Sequence, residues 1–220
     1  MTSKFCLRLI IMAFIIAGSH DVRAQNNSAV DVRKFEVAAE FSSLTFNSGQ
    51  TEAGFGGRLT YNIDPHFALE AAGYFFPNKC NFCGLSAGRN TEGLFGVKAG
   101  KRFEKWGLFG KARPGLVSSS QGAFNFVANT TSLGNDTQFL TVQKRLTSFA
   151  VDVGGVLEFY PTKRIITRFD FGSTIIHYGR RTENVPIFNF STGSYTLTPY
   201  TFPAETRGTL QFMAGVGFRF

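Results

Sequence analysis

The chain has 220 residues, a formal net charge of +8 and a mean hydropathy of -0.02; 43% of its side chains are apolar and only 17% charged, with 26 Phe and 24 Gly. That charged fraction lies well under the roughly 25% of soluble domains, and a chain this rich in Phe has ample surface to bury, which excludes intrinsic disorder. Its one continuous apolar run, Leu9 to Ala17, is far shorter than the roughly 20 residues a membrane helix needs, which excludes a multi-span helical protein.

Lys4 and Arg8 precede that run, and Val22-Arg23-Ala24 offers small residues on the near side of a cleavage point before Gln25. The pattern predicts a secretory signal peptide over 1-24, cut between Ala24 and Gln25, followed by one domain over 25-220. A short buried helix would explain the apolar run but not its flanks. Cys6 lies ahead of the apolar core, where no lipid-attachment cysteine would stand. Removing Lys4, Arg8, Arg23 and Asp21 lowers the net charge from +8 to +6. The remaining bases are spread singly along the chain of an exported protein, and nucleic-acid binding is set aside.

Beyond residue 33 the apolar period is two, in segments of about ten residues separated by polar, Gly-rich or Pro-containing breaks. In the first, Phe35, Val37, Ala39 and Phe41 alternate with Glu36, Ala38, Glu40 and Ser42. In the second, Phe55, Gly57, Leu59 and Tyr61 alternate with Gly56, Arg58 and Thr60. The third sets Phe67, Leu69, Ala71 and Phe75 against Ala68, Glu70, Ala72 and Tyr74. The fourth sets Phe95, Val97 and Ala99 against Gly96, Lys98, Gly100 and Arg102. The fifth sets Leu108, Gly110, Ala112 and Leu116 against Phe109, Lys111, Arg113 and Gly115. The sixth sets Phe149, Val151, Val153, Leu157 and Phe159 against Ala150, Asp152, Gly154 and Glu158. The seventh sets Phe169 and Phe171 against Arg168, Asp170 and Gly172. The last sets Leu210, Phe212, Ala214, Val216, Phe218 and Phe220 against Gln211, Met213, Gly215, Gly217 and Arg219.

Which face is inside decides the solvent. A small eight-stranded interior has no room for several large side chains from every strand, so the Phe face cannot be the core. If it points outward into lipid, the inward face becomes small residues and charges. On that face seven bases (Arg58, Lys98, Arg102, Lys111, Arg113, Arg168, Arg219) meet six acids (Glu36, Glu40, Glu70, Asp152, Glu158, Asp170). Such near balance is what a closed ionic interior requires, because an isolated buried ion costs several kcal/mol. The outward face holds one charge within a strand, Lys101.

The breaks alternate in length. Tight turns at 62-66, 103-106 and 161-164 oppose a modest break at 47-51 and longer stretches at 77-91, 118-146 and about 177-206. This is the pattern of short periplasmic turns and longer external loops, and it predicts an all-β, eight-stranded antiparallel up-and-down transmembrane β-barrel. Tyr61, Phe67, Phe103, Trp106, Phe159 and Tyr160 beside the short turns read as an interfacial aromatic girdle. Cys80 and Cys83, in an oxidising compartment, most simply close a small loop disulfide, with free thiols as the alternative. Zinc would need two further ligands where only His66 and His177 remain, and no metal or cofactor is expected.

The final segment Gly215-Val216-Gly217-Phe218-Arg219-Phe220, together with Gly93-Leu94-Phe95-Gly96-Val97-Lys98-Ala99-Gly100 and Arg168-Phe169-Asp170-Phe171-Gly172, resembles the small eight-stranded bacterial outer-membrane barrels, similar to the transmembrane domain of outer-membrane protein A and its short relatives. The resemblance implies an integral outer-membrane protein surrounded by lipid, with Phe218 and Phe220 in the segment read by the barrel-assembly machinery. The chain stops at Phe220, so anchoring to peptidoglycan is not carried over.

Some such barrels are lipid-modifying enzymes. Of the candidate bases, His66 falls in a short turn, and His177 stands near an external rim with Ser173 on the same strand face. The inward carboxylates interleave with Arg and Lys, which hold them ionised and deny them an acid's role. Gly54-Phe55-Gly56-Gly57 precedes a strand and cannot cradle phosphate as a helix N-terminus does. The expectation is a non-enzymatic barrel that supports the membrane or presents its external loops to a surface ligand, with a narrow ion pore through the charged interior as the competing reading.

Overall fold

The computed structural model describes residues 32-80, 82-130, 137-190 and 194-220. The expected signal segment, with Ala24 and Gln25, lies outside the described residues. Ten strands follow in chain order: β1 Phe35–Thr45, β2 Thr51–Asn62, β3 Phe67–Cys80, β4 Gly88–Arg102, β5 Trp106–Thr130, β6 Thr137–Phe159, β7 Ile165–Tyr178, β8 Arg181–Asn189, β9 Ser194–Phe202 and β10 Glu205–Arg219. Eight of them close an antiparallel barrel in which β1 to β7 pair in sequence, β7 pairs with β10, and β10 returns to β1. Strands β8 and β9 form a separate hairpin. Closure leaves no edge strand in the barrel, so its ladder bonds are made between its own strands, the condition for crossing hydrocarbon.

The faces follow the period of two. Along β1 burial alternates residue by residue, with Phe35, Val37 and Phe41 exposed and Glu36, Ala38, Glu40 and Ser42 buried. The same holds on the other barrel strands, so the large apolar side chains stand outside and the ions inside. The seam is drawn shut at its very end: the Phe35 amide donates to the Phe220 carbonyl at 3.1 Å and the Phe220 amide to the Phe35 carbonyl at 2.9 Å. Their rings stack 5.9 Å apart, and Phe218 lies 6.4 Å from Phe220.

Side chains close the short turns. Asp64 Oδ1 accepts the amides of His66 and Phe67 at 2.6 and 2.8 Å, and Thr162 Oγ1 accepts those of Arg164 and Ile165 at 3.2 and 3.0 Å. These local acceptors stand in for ladder bonds where the chain reverses. Pro114 has no N–H to donate, and the β4–β5 ladder is interrupted beside it, between the pairs Leu94/Gly115 and Val97/Ala112. At that gap the strands come so close that a Cβ on Gly96 would stand 2.2 Å from the Ala112 carbonyl oxygen.

The long connections differ from the expected loops. Strand β3 runs on to Cys80 and β4 begins at Gly88, joined through a 3-10 turn at Gly84–Ser86. Where a loop is expected over 118-146, β5 and β6 stay paired out to Thr130 and Thr137, with a register shift between Ser119 and Ala123. Where one is expected over 177-206, the hairpin of β8 and β9 stands, and the Asn184 amide donates to Asn125 Oδ1 at 2.9 Å. Asn, Thr and Ser in these segments read as loop composition, but their spacing between Phe, Val, Leu and Tyr also suits a solvated hairpin, and cross-strand pairing decides in its favour.

Candidate functional site

The barrel interior holds the densest chemistry. Twelve of the thirteen charges expected there are joined in one ion-pair network, and none is more than 5% exposed. Near the short-turn end Arg102 reaches Glu36 at 3.5 Å and Glu158 at 3.6 Å, while Lys98 donates a short bond to Glu158. Arg58 binds Glu40 at 2.7 Å and lies 3.6 Å from Glu36. Further along, Lys111 bridges Asp152 and Asp170 at 2.8 and 3.0 Å, and the Arg113 guanidinium grips Asp152 Oδ2 with two donors at 2.6 and 2.9 Å.

Glu70 is the hub. It meets Arg58 at 3.5 Å, Lys98 at 3.7 Å and Arg113 at 3.6 Å, and Arg168 forks across both its oxygens while also gripping Asp170. Glu70 sits on β3, Arg58 on β2, Lys98 on β4, Arg113 on β5 and Arg168 on β7, so one carboxylate ties five strands across the lumen. Inward glycines make this possible, since the smooth wall at Gly96, Gly154, Gly172 and Gly215 leaves the width to long side chains. The thirteenth charge, Arg219, stands apart: it donates to the Lys163 carbonyl at 3.2 Å and lies 4.4 Å over the Tyr160 ring.

Tyr160 itself corrects the expected girdle. It points inward, 8% exposed, donates to Glu158 Oε2 at 2.7 Å and stacks under Arg102 and Arg219, closing the short-turn end of the lumen. Tyr61, Phe67, Trp106 and Phe159 are exposed beside the turns, and Phe103 stacks on Trp106 at 4.2 Å.

Above the ions lies a hydrogen-bonded polar layer that the reading of the sequence missed. Gln211 donates to Glu92 Oε2 at 2.8 Å and to Ser42 at 3.2 Å, and Asn90 donates to Glu52 at 2.7 Å while accepting from Ser119. Glu52 and Glu92 are both buried. Carrying the alternation back from Phe55 and from Phe95 places each on the inward face. With them the interior holds eight acids and seven bases, so the chain's positive excess stands outside the barrel.

The long-loop end is closed by an apolar plug of Leu44, Phe46, Phe76, Cys80, Cys83 and Leu94. Cys80 and Cys83 are joined as a disulfide with Cα atoms 5.5 Å apart, and Ser86 on the following turn hydrogen-bonds the Tyr178 hydroxyl. A Glu52 carboxylate oxygen lies within 4.8 Å of both sulfurs, but a disulfide offers no thiolate to a metal. His177 is exposed and pairs with Thr206 at 2.9 Å, while Ser173 donates to the Thr209 carbonyl at 2.9 Å. The two side chains are thus engaged separately.

The outer wall completes the geometry. Phe55, Phe95 and Phe171 are each at least 60% exposed, inverting the order of a water-soluble protein. Two outward charges on β4, Arg89 and Lys101, bracket Thr91, Gly93, Phe95, Val97 and Ala99. From Arg89 to Lys101 is about 40 Å of strand, and at a tilt of about 40° it covers about 30 Å of height, the thickness of a bilayer core. Lys101 is therefore not the sole outward strand charge, because β3 and β4 extend to Lys79 and Arg89.

No protein-family model and no curated protein matches the chain. Among solved structures it is similar to the N-terminal β-barrel domain of Pseudomonas aeruginosa OprF, at 14% identity over 84% of this chain and 97% of that one, with a TM-score of 0.42. Neisserial surface protein A gives 14% identity over 84% and 96%, with a TM-score of 0.41. Ail, the attachment invasion locus protein of Yersinia pestis, gives 13% over 84% and 96%, with a TM-score of 0.43. An edgeless barrel of eight strands, apolar over a bilayer's thickness outside and filled with paired ions inside, is built to be solvated by lipid: the chain folds as an eight-stranded transmembrane β-barrel.

Proposed function

We propose that the protein is a non-enzymatic integral protein of the bacterial outer membrane whose closed barrel carries a surface-interaction platform, the β5–β6 extension with the β8–β9 hairpin. The observation that carries this reading is that the strands continue well past the membrane band on one side only, with Ile187, Phe188, Phe190, Tyr195 and Tyr200 left exposed on the hairpin. Aromatic side chains with few rotatable bonds are economical anchors for a ligand. The packed, ion-paired lumen supports a structural barrel over a conducting one, and the separate engagement of His177 and Ser173 supports a non-catalytic rim. In this reading Phe218 and Phe220 at the seam also serve recognition by the barrel-assembly machinery.

The test compares cells displaying the full chain with cells displaying a variant in which residues 181-202 are replaced by a short Gly-Ser link. The expected result is an intact, heat-modifiable barrel in both and loss of adherence to glycan and matrix-protein arrays in the variant alone. Equal adherence contradicts the platform. Steady conductance in planar bilayers that changes in Glu70→Gln would instead establish the ion pore.

A further inference from the structure

Three cations stand together on the outer wall. Lys79 on β3, Arg89 on β4 and Arg145 on β6 line one pocket of about 360 Å³ together with Phe75, Thr91 and Ser120. Among the described residues no carboxylate lies within ion-pair distance of any of them, although other rim arginines are matched. Arg181 reaches Glu183 at 2.9 Å, and Arg207 forks onto Glu205 at 2.8 and 2.9 Å, which holds that carboxyl below its usual range. Arg145 donates to Ser118 at 3.3 Å and the Arg89 amide to Ser120 at 2.9 Å, so the pocket floor is tied across strands. Four adjacent strands put Lys79 roughly 14 Å from Arg145.

Height makes the pocket specific. Arg89 marks the long-loop boundary of the apolar band, and Phe75 borders the pocket on its lipid side. Below, on β2 to β5, the wall is hollowed into a trough of about 530 Å³ lined by Leu59, Gly73, Gly93, Phe95, Pro114 and Leu116. Gly57, Gly73 and Gly93 are direct cross-strand partners, so the trough is a row of absent side chains; Gly73 pairs two residues below Phe75, and Gly93 lies two below Thr91. The cationic pocket thus stands directly above an apolar trough on the same strands.

We propose that this composite is a binding site for an outer-leaflet lipid with a phosphorylated headgroup, the phosphates held by Lys79, Arg89 and Arg145 and one acyl chain laid along the Gly73 and Gly93 trough. Guanidinium and ammonium groups in a headgroup region bind phosphate through charge-assisted hydrogen bonds, and Thr91 and Ser120 add hydroxyl donors. A soluble anion would use the cations but not the trough.

The experiment reconstitutes the full barrel in phosphatidylcholine nanodiscs doped with diphosphorylated lipid A, or with dioleoylglycerol as an acyl lipid without phosphate, and counts retained lipids by native mass spectrometry after release. The expected result is retention of lipid A and not of dioleoylglycerol, with retention lowered about tenfold or more in the combined Lys79→Ala, Arg89→Ala, Arg145→Ala variant. All three residues are exposed, so that barrel still folds, which heat-modifiable migration checks. Gly93→Leu, which fills the trough and keeps the cations, also lowers retention. Equal retention in the triple variant overturns the proposal. Displacement of lipid A by millimolar inorganic phosphate, with Gly93→Leu unchanged, also overturns it, since the site would then be one for free anions.

Discussion

Replacing Glu70 by alanine destabilises the folded barrel by about 3–5 kcal/mol, the cost of leaving buried charges without their partner. Four cations on four other strands converge on this carboxylate, and Arg168 spends both its terminal nitrogens on it. Removing it leaves Arg58, Lys98, Arg113 and Arg168 with a surplus of positive charge in a lumen closed to solvent at both ends by Tyr160 and by the Leu44 and Phe76 plug. Urea unfolding in detergent micelles, followed by the loss of heat-modifiable migration, reads the effect. Glu70→Gln retains an acceptor for Arg168 and falls between wild type and Glu70→Ala. Combining Glu70→Met with Arg168→Met recovers part of the loss, because removing both partners takes away the unpaired ion along with the pair. A change under about 0.5 kcal/mol in Glu70→Ala, typical of a surface substitution, contradicts the hub.

The second large effect is on the opposite face. Phe95→Arg costs about 2–4 kcal/mol in lipid vesicles, as an arginine at the midplane of a barrel wall does. Phe95 is 60% exposed and lies midway along β4 between Arg89 and Lys101. In water the same substitution at so exposed a position would be close to neutral. Moving the arginine outward to Thr91, nearer the boundary, lowers the cost to about 0–1 kcal/mol, because the side chain then reaches the headgroups. Urea titrations of the two variants in matched vesicles give the comparison.

The division into faces was legible because period two admits only one assignment once either face is known. Every charge from Glu36 to Asp170 in the ionic network follows from counting alternate residues. Glu52 and Glu92 obeyed the same count but stood beyond the clear apolar stretches at Phe55 and Phe95, where the outward residues are Ala53, Thr51, Gly93 and Thr91 and the contrast between faces fades. Tyr160 was misread because an aromatic at a turn suits either the girdle or the lumen; its place is settled by Glu158, Arg102 and Arg219, which converge from three strands. The length of β5 and β6 was hidden for a different reason. Outside the membrane a hairpin faces water on both sides, so it needs no apolar face to declare it. The basic pocket was likewise invisible in one dimension, since Lys79, Arg89 and Arg145 meet only through the register of β3 to β6.

Lipid touches the Phe face of the barrel. Because the chain has a single tryptophan, Trp106, a variant combining Trp106→Phe with Phe95→Trp carries one reporter at the middle of the wall. In vesicles of lipids brominated at mid-chain, a blue-shifted emission from the introduced indole that is strongly quenched, and more strongly than by lipids brominated near the headgroup, is the predicted result. Emission typical of water with no quenching by either lipid would contradict the account.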